Sequence, residues 1–150
     1  FLLWGAQRCV SYLMFMVEML NWPVIGPLMR MMGHIPVDRS GGGAGSQALD
    51  DAEELLRRGS IITMFPDGNI SRPGFKIGVA LLSIRTGAPV YPAGISGASA
   101  VWPKGAKWPW QFHPRRPVIV TVGEPLFPED HDGPEELRRA AELAVNGLWQ

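Results

Sequence analysis

Apolar residues fall along this chain in two patterns: unbroken blocks of about four to eight, and longer stretches where they recur every third or fourth position. The blocks read as strands and the periodic stretches as helices. Ile61-Ile62-Thr63-Met64-Phe65 is short, apolar and largely β-branched, so it predicts a buried strand whose carboxyl end delivers Asp67 and Gly68 to a crevice. Val10 to Val17 is a second block, for which a buried strand and a short helix fit equally well. Phe1 to Arg8 reads as the tail of a helix. Pro23 to Met32 predicts a helix with Pro23 near its first turn, an apolar face of Val24, Pro27, Leu28, Met31 and Met32, and Gly33 as its stop. Its methionines are read as core gap fillers, with an adaptable surface for acyl chains as the alternative.

His34-Ile35-Pro36-Val37 is expected to be extended, because proline pushes the preceding residue towards the β region, and it ends in Asp38-Arg39. Ser46 is placed to cap the following helix, whose face is Leu49, Ala52, Leu55 and Leu56 and whose end is Arg57, Arg58 and Gly59. Phe75 to Thr86 predicts a helix closed by Gly87, with Ile77, Ala80, Leu81 and Ile84 turned inward. Ala88 to Ile95 and Pro117 to Gly123 read as further strands, the first of them buried. Pro134 to Asn146 predicts the last helix, with Asp132 and Glu135 as a capping box and Gly147 as its stop. This alternation predicts an α/β fold, a mostly parallel central sheet flanked by helices.

With 150 residues, 46% of them hydrophobic, the chain suffices for one core, so residues 1–150 are expected to form a single domain. Lys and Arg together number 14, as do Asp and Glu, so no overall field favours nucleic acid, and none is expected as a partner. The lone Cys9 leaves no disulfide framework, and with no CxxC or His/Cys cluster no structural zinc is expected. The chain opens on Phe1 without a visible cap, which reads as an N-terminal truncation. Val10 to Val17 lacks a basic leader and a cleavage site, which argues against a signal peptide. Arg8 and Glu18 interrupt the apolar stretch before the roughly 18 residues of a membrane span.

Two stretches carry unusual composition. Ser40 to Gly45 is glycine-rich, yet lacks the Gly-Lys-Ser/Thr ending of a phosphate-binding P-loop, so it reads as a connection, with a nucleotide site at Gly41 to Gly45 as a remote rival. Val101 to Pro117 sets Trp102, Trp108 and Trp110 among Lys104, Lys107, Arg115 and Arg116 without an acid. Amphipathic rings beside cations suit a lipid headgroup interface; a long loop pinned by its tryptophans is the alternative.

Four blocks lie in order: Gly33 to Arg39, the turn Phe65-Pro66-Asp67-Gly68-Asn69-Ile70-Ser71, Phe75-Lys76-Ile77-Gly78, and Ala88-Pro89-Val90-Tyr91-Pro92. In order and spacing they resemble the glycerolipid acyltransferases, the lysophosphatidic acid acyltransferases and their relatives, over roughly Val10 to Leu126. The resemblance implies a glycerol-3-phosphate acyltransferase-like fold and acyl transfer from acyl-CoA or acyl-carrier protein to a hydroxyl of a lysophospholipid or glycerol phosphate. It implies no metal or other cofactor, and a peripheral location at the cytoplasmic face of a membrane. By the same resemblance Arg39 pairs with the acceptor phosphate, Asp67 holds the glycerol or orients a donor, Gly68 lets the backbone approach, and Lys76 adds a second charge.

The family's Asn-His-x-x-x-x-Asp block, which supplies the general base, has no counterpart here: none of His34, His113 and His131 has an aspartate five positions later. The resemblance therefore implies a base upstream of Phe1. Ile70 stands where the family usually has arginine and Asp67 where it has glutamate, which leaves the acceptor headgroup open. A non-catalytic phospholipid-binding module of the same fold is the rival reading.

Overall fold

In a computed structural model, the described residues are 10–16, 20–21, 25–37, 44–65, 74–101, 113 and 115–148. Val10 to Val17 resolves as a strand, β1 (Ser11–Met16), because this block is used along both edges. It pairs in parallel with β2 (Ile35–Val37) on one side, Met14 opposite Ile35, and with β3 (Ile61–Thr63) on the other, Ser11 opposite Ile61. Parallel neighbours need crossovers, and the two intervening helices supply them. These are α1 (Ile25–Met31), which Gly33 terminates in the left-handed region at φ 68°, and α2 (Ala44–Arg57), followed by Gly59 at φ 81°.

The core lies between this sheet, α2 and the helix that follows β3. Met14, Ile35, Ala48, Ala52 and Leu82 are buried together, with Leu49, Leu55, Leu56, Ile62 and Met64 packed around them. Alanines at 48 and 52, one turn apart, let α2 settle close onto the strands. The helix α3 (Gly78–Thr86) packs against α2 and against α5 (Pro134–Gly147). Gly87 ends α3 at φ 73°, its N–H donating to Ser83 O at 2.8 Å. The short strand β4 (Ala93–Ser96) leads into α4 (Ala98–Val101), and β5 (Ile119–Val122) returns antiparallel to β4; a 3-10 turn at Pro128–Asp130 precedes α5. The α/β expectation holds, with a three-stranded parallel sheet flanked by helices.

Tertiary packing moved several details. Ile61 to Phe65 is not a buried strand: β3 is the sheet edge, and Ile61 and Phe65 stay 38% and 64% exposed while Ile62 and Met64 turn inward. The apolar face of α1 is not a core face either, with Leu28 exposed and Met31 79% exposed. Ser46 lies inside α2, not at its cap, because burial of Ala48 continues the helix a turn further upstream. The inward face of α3 is Ala80, Leu82 and Ser83, while Ile77 and Ile84 are exposed, since small side chains permit close approach of helices on two sides. Residues Ala88 to Tyr91 are not strand. Beyond them β4 pairs only with β5, and of its four residues only Gly94 is buried.

The capping box of Asp132 and Glu135 does not form at α5: the N-cap is Gly133, without a side-chain capping bond, Asp132 N–H donates to Glu136, and Gly147 belongs to the helix instead of stopping it. The Phe1 to Arg8 reading lies outside the described residues, as does the Ser40 to Gly45 connection up to Gly43; Ala44 and Gly45, read as loop, form the first residues of α2.

His34 has a structural task. Its Nδ1 accepts a hydrogen bond from Leu13 N–H at 3.2 Å, one residue before β2 begins its ladder with β1, so the ring replaces a backbone carbonyl there. Replacing His34 by alanine is expected to cost about 1 kcal/mol of stability, read as a lower urea midpoint with an unchanged slope. An unmoved midpoint would show that water replaces the ring.

Candidate functional site at the carboxyl edge of the sheet

Three observations bring the predicted blocks to one end of the fold. First, β2 and β3 both run parallel to β1, so the chain leaves Val37 and Phe65 at the carboxyl end of the sheet. In the sequence Arg39 follows Val37 by two residues, and Asp67 and Gly68 follow Phe65 by two and three. Second, α2 connects the carboxyl end of β2 to the amino end of β3, so its own N-terminus lies at the carboxyl edge. Third, α3 runs alongside α2 in the same direction. A methyl group on Gly78 would meet Leu49 Cδ2 at 3.5 Å, whereas Arg85 sits 3.5 Å from both Asp50 and Glu53, and Arg57 donates to Arg85 O. The N-terminus of α3, preceded by Lys76, therefore lies towards that same edge.

Lys76 is exposed, one residue from the N-cap Ile77, which makes no side-chain capping bond. The first-turn N–H groups of α3 and the Lys76 ammonium thus add positive character at one place, the arrangement that suits an anion. Arg39, Asp67, Gly68, Trp102, Trp108 and Trp110 lie outside the described residues. Of the predicted binding residues, Lys76 alone is described, at the expected end of the sheet. The sheet order explains why chemistry gathers here, since ligands of open α/β sheets sit beyond the carboxyl ends of the strands.

Arg138 of α5 was assigned no role by sequence, yet it reaches this edge. Its Nε and Nη2 donate to Glu135 Oε1 at 3.0 and 2.8 Å, and its Nη1 donates to Glu142 Oε2 at 2.9 Å and to Phe75 O at 3.4 Å. Hydrogen bonding to Glu135 raises the guanidinium above its ordinary value, and the same bond holds the Glu135 carboxyl below the usual 4.5. The three- and four-residue spacing of Glu135, Arg138 and Glu142 is legible in the sequence. The contact with Phe75, 63 residues away, is not.

The other concavity is a poor candidate. A shallow depression of about 290 Å³ on α2 is lined by Asp50, Glu53, Glu54 and Arg57. Arg57 pairs with Glu53 and holds its carboxyl below 4.5, and Arg58 pairs with Glu54. With Arg85 beside Asp50 and Glu53, the three carboxylates are already matched by three arginines, which leaves no surplus positive charge for a phosphate. Among the described residues no three His, Cys, Asp or Glu gather as metal ligands, and no helix is long and apolar enough to cross a membrane.

Comparison with known proteins bears on this edge. A family model described as Acyltransferase matches residues 1–96, which contain β1 to β4 and every segment that meets at the carboxyl edge except α5. A 1-acyl-sn-glycerol-3-phosphate acyltransferase from Limnanthes douglasii is 32% identical over 70% of this chain and 37% of its own length. The chloroplastic 1-acyl-sn-glycerol-3-phosphate acyltransferase BAT2 of Brassica napus is 34% identical over 57% of this chain and 26% of its own. The crystal structure of the 1-acyl-sn-glycerophosphate (LPA) acyltransferase PlsC from Thermotoga maritima superposes with a TM-score of 0.68 at 26% identity, covering 93% of this chain and 56% of that one. The chain thus spans about a quarter to somewhat over a third of these curated relatives.

Proposed function

The chain belongs to the acyltransferase family, and from that premise we propose that the protein carrying it moves a fatty acyl group from a thioester, acyl-CoA or acyl-carrier protein, onto the free hydroxyl of a lysophospholipid of the 1-acylglycerol 3-phosphate class. The observation that carries the reading is that β2 and β3 both end at the carboxyl edge, towards which the N-terminus of α3 and Lys76 also lie, with Arg39 and Asp67 each two residues further along the chain from the last described residue, Val37 and Phe65. First-turn N–H groups beside an ammonium suit a phosphate.

In this reading Arg39 grips the acceptor phosphate with its planar fork, Lys76 adds a second charge, and Asp67 holds the glycerol. Gly68, without a Cβ, lets backbone approach the reacting carbonyl. The acceptor hydroxyl attacks the thioester carbonyl carbon while a base takes its proton. The tetrahedral oxyanion then collapses, the C–S bond breaks, and the thiolate leaves and takes up a proton. By the family resemblance the base is the histidine of a His-x-x-x-x-Asp block, with the aspartate orienting its ring. Among the described histidines, the Nδ1 of His34 is committed to Leu13 N–H and that of His131 lies 3.0 Å from Phe127 O.

Ile70, where the family usually has arginine, removes one phosphate contact, so we assign Arg39 and Lys76 a larger share of acceptor binding. Lipid acceptors sit in membranes, and we place the protein peripherally on the cytoplasmic membrane face, with Trp102, Trp108 and Trp110 at the headgroups.

The test is thiol release from acyl-CoA by the full-length protein in the presence of 1-acylglycerol 3-phosphate, beside its sedimentation with phospholipid vesicles. Acceptor-dependent release with sedimentation is expected. Sedimentation without release would replace the enzyme by a phospholipid-binding module, and release without sedimentation would remove the membrane assignment.

A further inference from the structure

The segment Phe75-Lys76-Ile77 has no hydrogen bond to the sheet among those of the described residues, and α3 begins only at Gly78. Ile77 O accepts from Leu81 N–H at 3.0 Å in the first turn of α3, while upstream of Lys76 the Phe75 carbonyl is reached by a side chain from the far end of the sequence. Arg138 is the least exposed ion-paired arginine described, its side chain 18% accessible, and it sits beside Leu137, which is fully buried against the body. Glu135 takes Nε and Nη2 on one side and Glu142 takes Nη1 on the other, so the guanidinium plane is set by two carboxylates of its own helix. The remaining N–H of Nη1 then points at the Phe75 carbonyl, 3.4 Å away, directly before Lys76. A planar, five-donor group can serve these three acceptors at once; an ammonium has three hydrogens on one rotating nitrogen and cannot hold that plane.

We infer that Arg138 is a positioning residue that acts through Lys76: with Glu135 and Glu142 it forms a clamp that fixes the Phe75–Lys76 backbone at the carboxyl edge, so that the Lys76 ammonium is held ready for the acceptor phosphate. This rests on the reading of Lys76 given above. It assigns to α5, which lies outside the matched residues 1–96, a share in acceptor binding without contact with the acceptor. The energetic logic is preorganisation. A lysine on an untethered segment pays its ordering entropy when the phosphate binds, whereas a clamped one has paid it on folding.

The experiment compares Arg138→Lys, Arg138→Ala, Lys76→Ala and the Arg138→Ala/Lys76→Ala pair in the full-length protein, with steady-state transfer from acyl-CoA to 1-acylglycerol 3-phosphate and a thermal melt of each. Both Arg138 variants are expected to raise the acceptor KM roughly three- to tenfold, the scale of one orienting hydrogen bond, with kcat changed less than about twofold. In the double variant, loss of Arg138 adds nothing to the KM of Lys76→Ala, because the clamp has nothing left to position. Should Arg138→Ala fail to fold, Arg138→Lys, which keeps the charge and stem, carries the test alone. KM rises that multiply in the double variant, or a kcat that falls with the folded fraction at constant KM, would make Arg138 merely structural and overturn the proposal. If Lys76→Ala itself leaves KM unchanged while transfer continues, the phosphate role of Lys76 falls and the clamp with it, leaving the reaction class standing.

Discussion

Alanine at position 39 in the full-length protein is expected to lower kcat/KM for 1-acylglycerol 3-phosphate by about 10- to 150-fold, mostly through KM. The magnitude follows from the loss of a charge-assisted, two-pronged contact with phosphate, about 1.5–3 kcal/mol, at roughly 1.4 kcal/mol per tenfold. Ile70 sharpens the expectation, because the family's usual arginine is missing from the neighbouring turn and cannot share the loss. Arg39→Lys should recover part of the affinity, since it keeps the charge but not the fork. A monoacylglycerol acceptor, which lacks the phosphate, should not distinguish the variant from the parent. An unchanged acceptor KM in Arg39→Ala would reduce Arg39 to a surface ion-pair partner and leave the phosphate to other groups.

Truncating Leu137 is expected to have the largest effect on stability. Leu137 is 0% exposed on α5, which packs against α3, and Ala80 of α3 and Ala141 of α5 are buried as well. Leu137→Ala should cost about 2–5 kcal/mol, the transfer energy of the removed methyls plus the cavity left among neighbours too small to collapse into it. Leu143, 73% exposed on the same helix, is the control: its alanine variant should stay within about 0.5 kcal/mol, because little apolar surface changes environment. Urea unfolding of both variants measures this. Equal losses at the two positions would show that helix propensity, not packing, governs α5.

The legible part of this protein was local. Blocks and periodic stretches marked α1, β2, α2, β3, α3, β5 and α5 to within a few residues, and located β1 without deciding between strand and helix, because strand and helix repeats differ and because Gly33, Gly59 and Gly87 adopt positive φ where the helices end. The blocks Gly33 to Arg39, Phe65 to Ser71 and Phe75 to Gly78 were equally visible as a family pattern. The errors share a cause. Ile61 to Phe65 as a buried strand, Leu28 and Met31 as core, and Ile77 and Ile84 as an inward face all took apolarity for burial. Whether an apolar residue is covered depends on which element arrives beside it.

Residue types and their spacing alone determined which short elements form and which residues can do acyl-transfer chemistry, since propensity, capping and motif chemistry act over a few residues. The order β2-β1-β3 was a tertiary decision, and so were the common direction of α2 and α3 and the reach of Arg138 to Phe75. Those features pair residues twenty to sixty positions apart, and such pairs are chosen by burial and hydrogen bonding across the assembled core, where no local pattern records them.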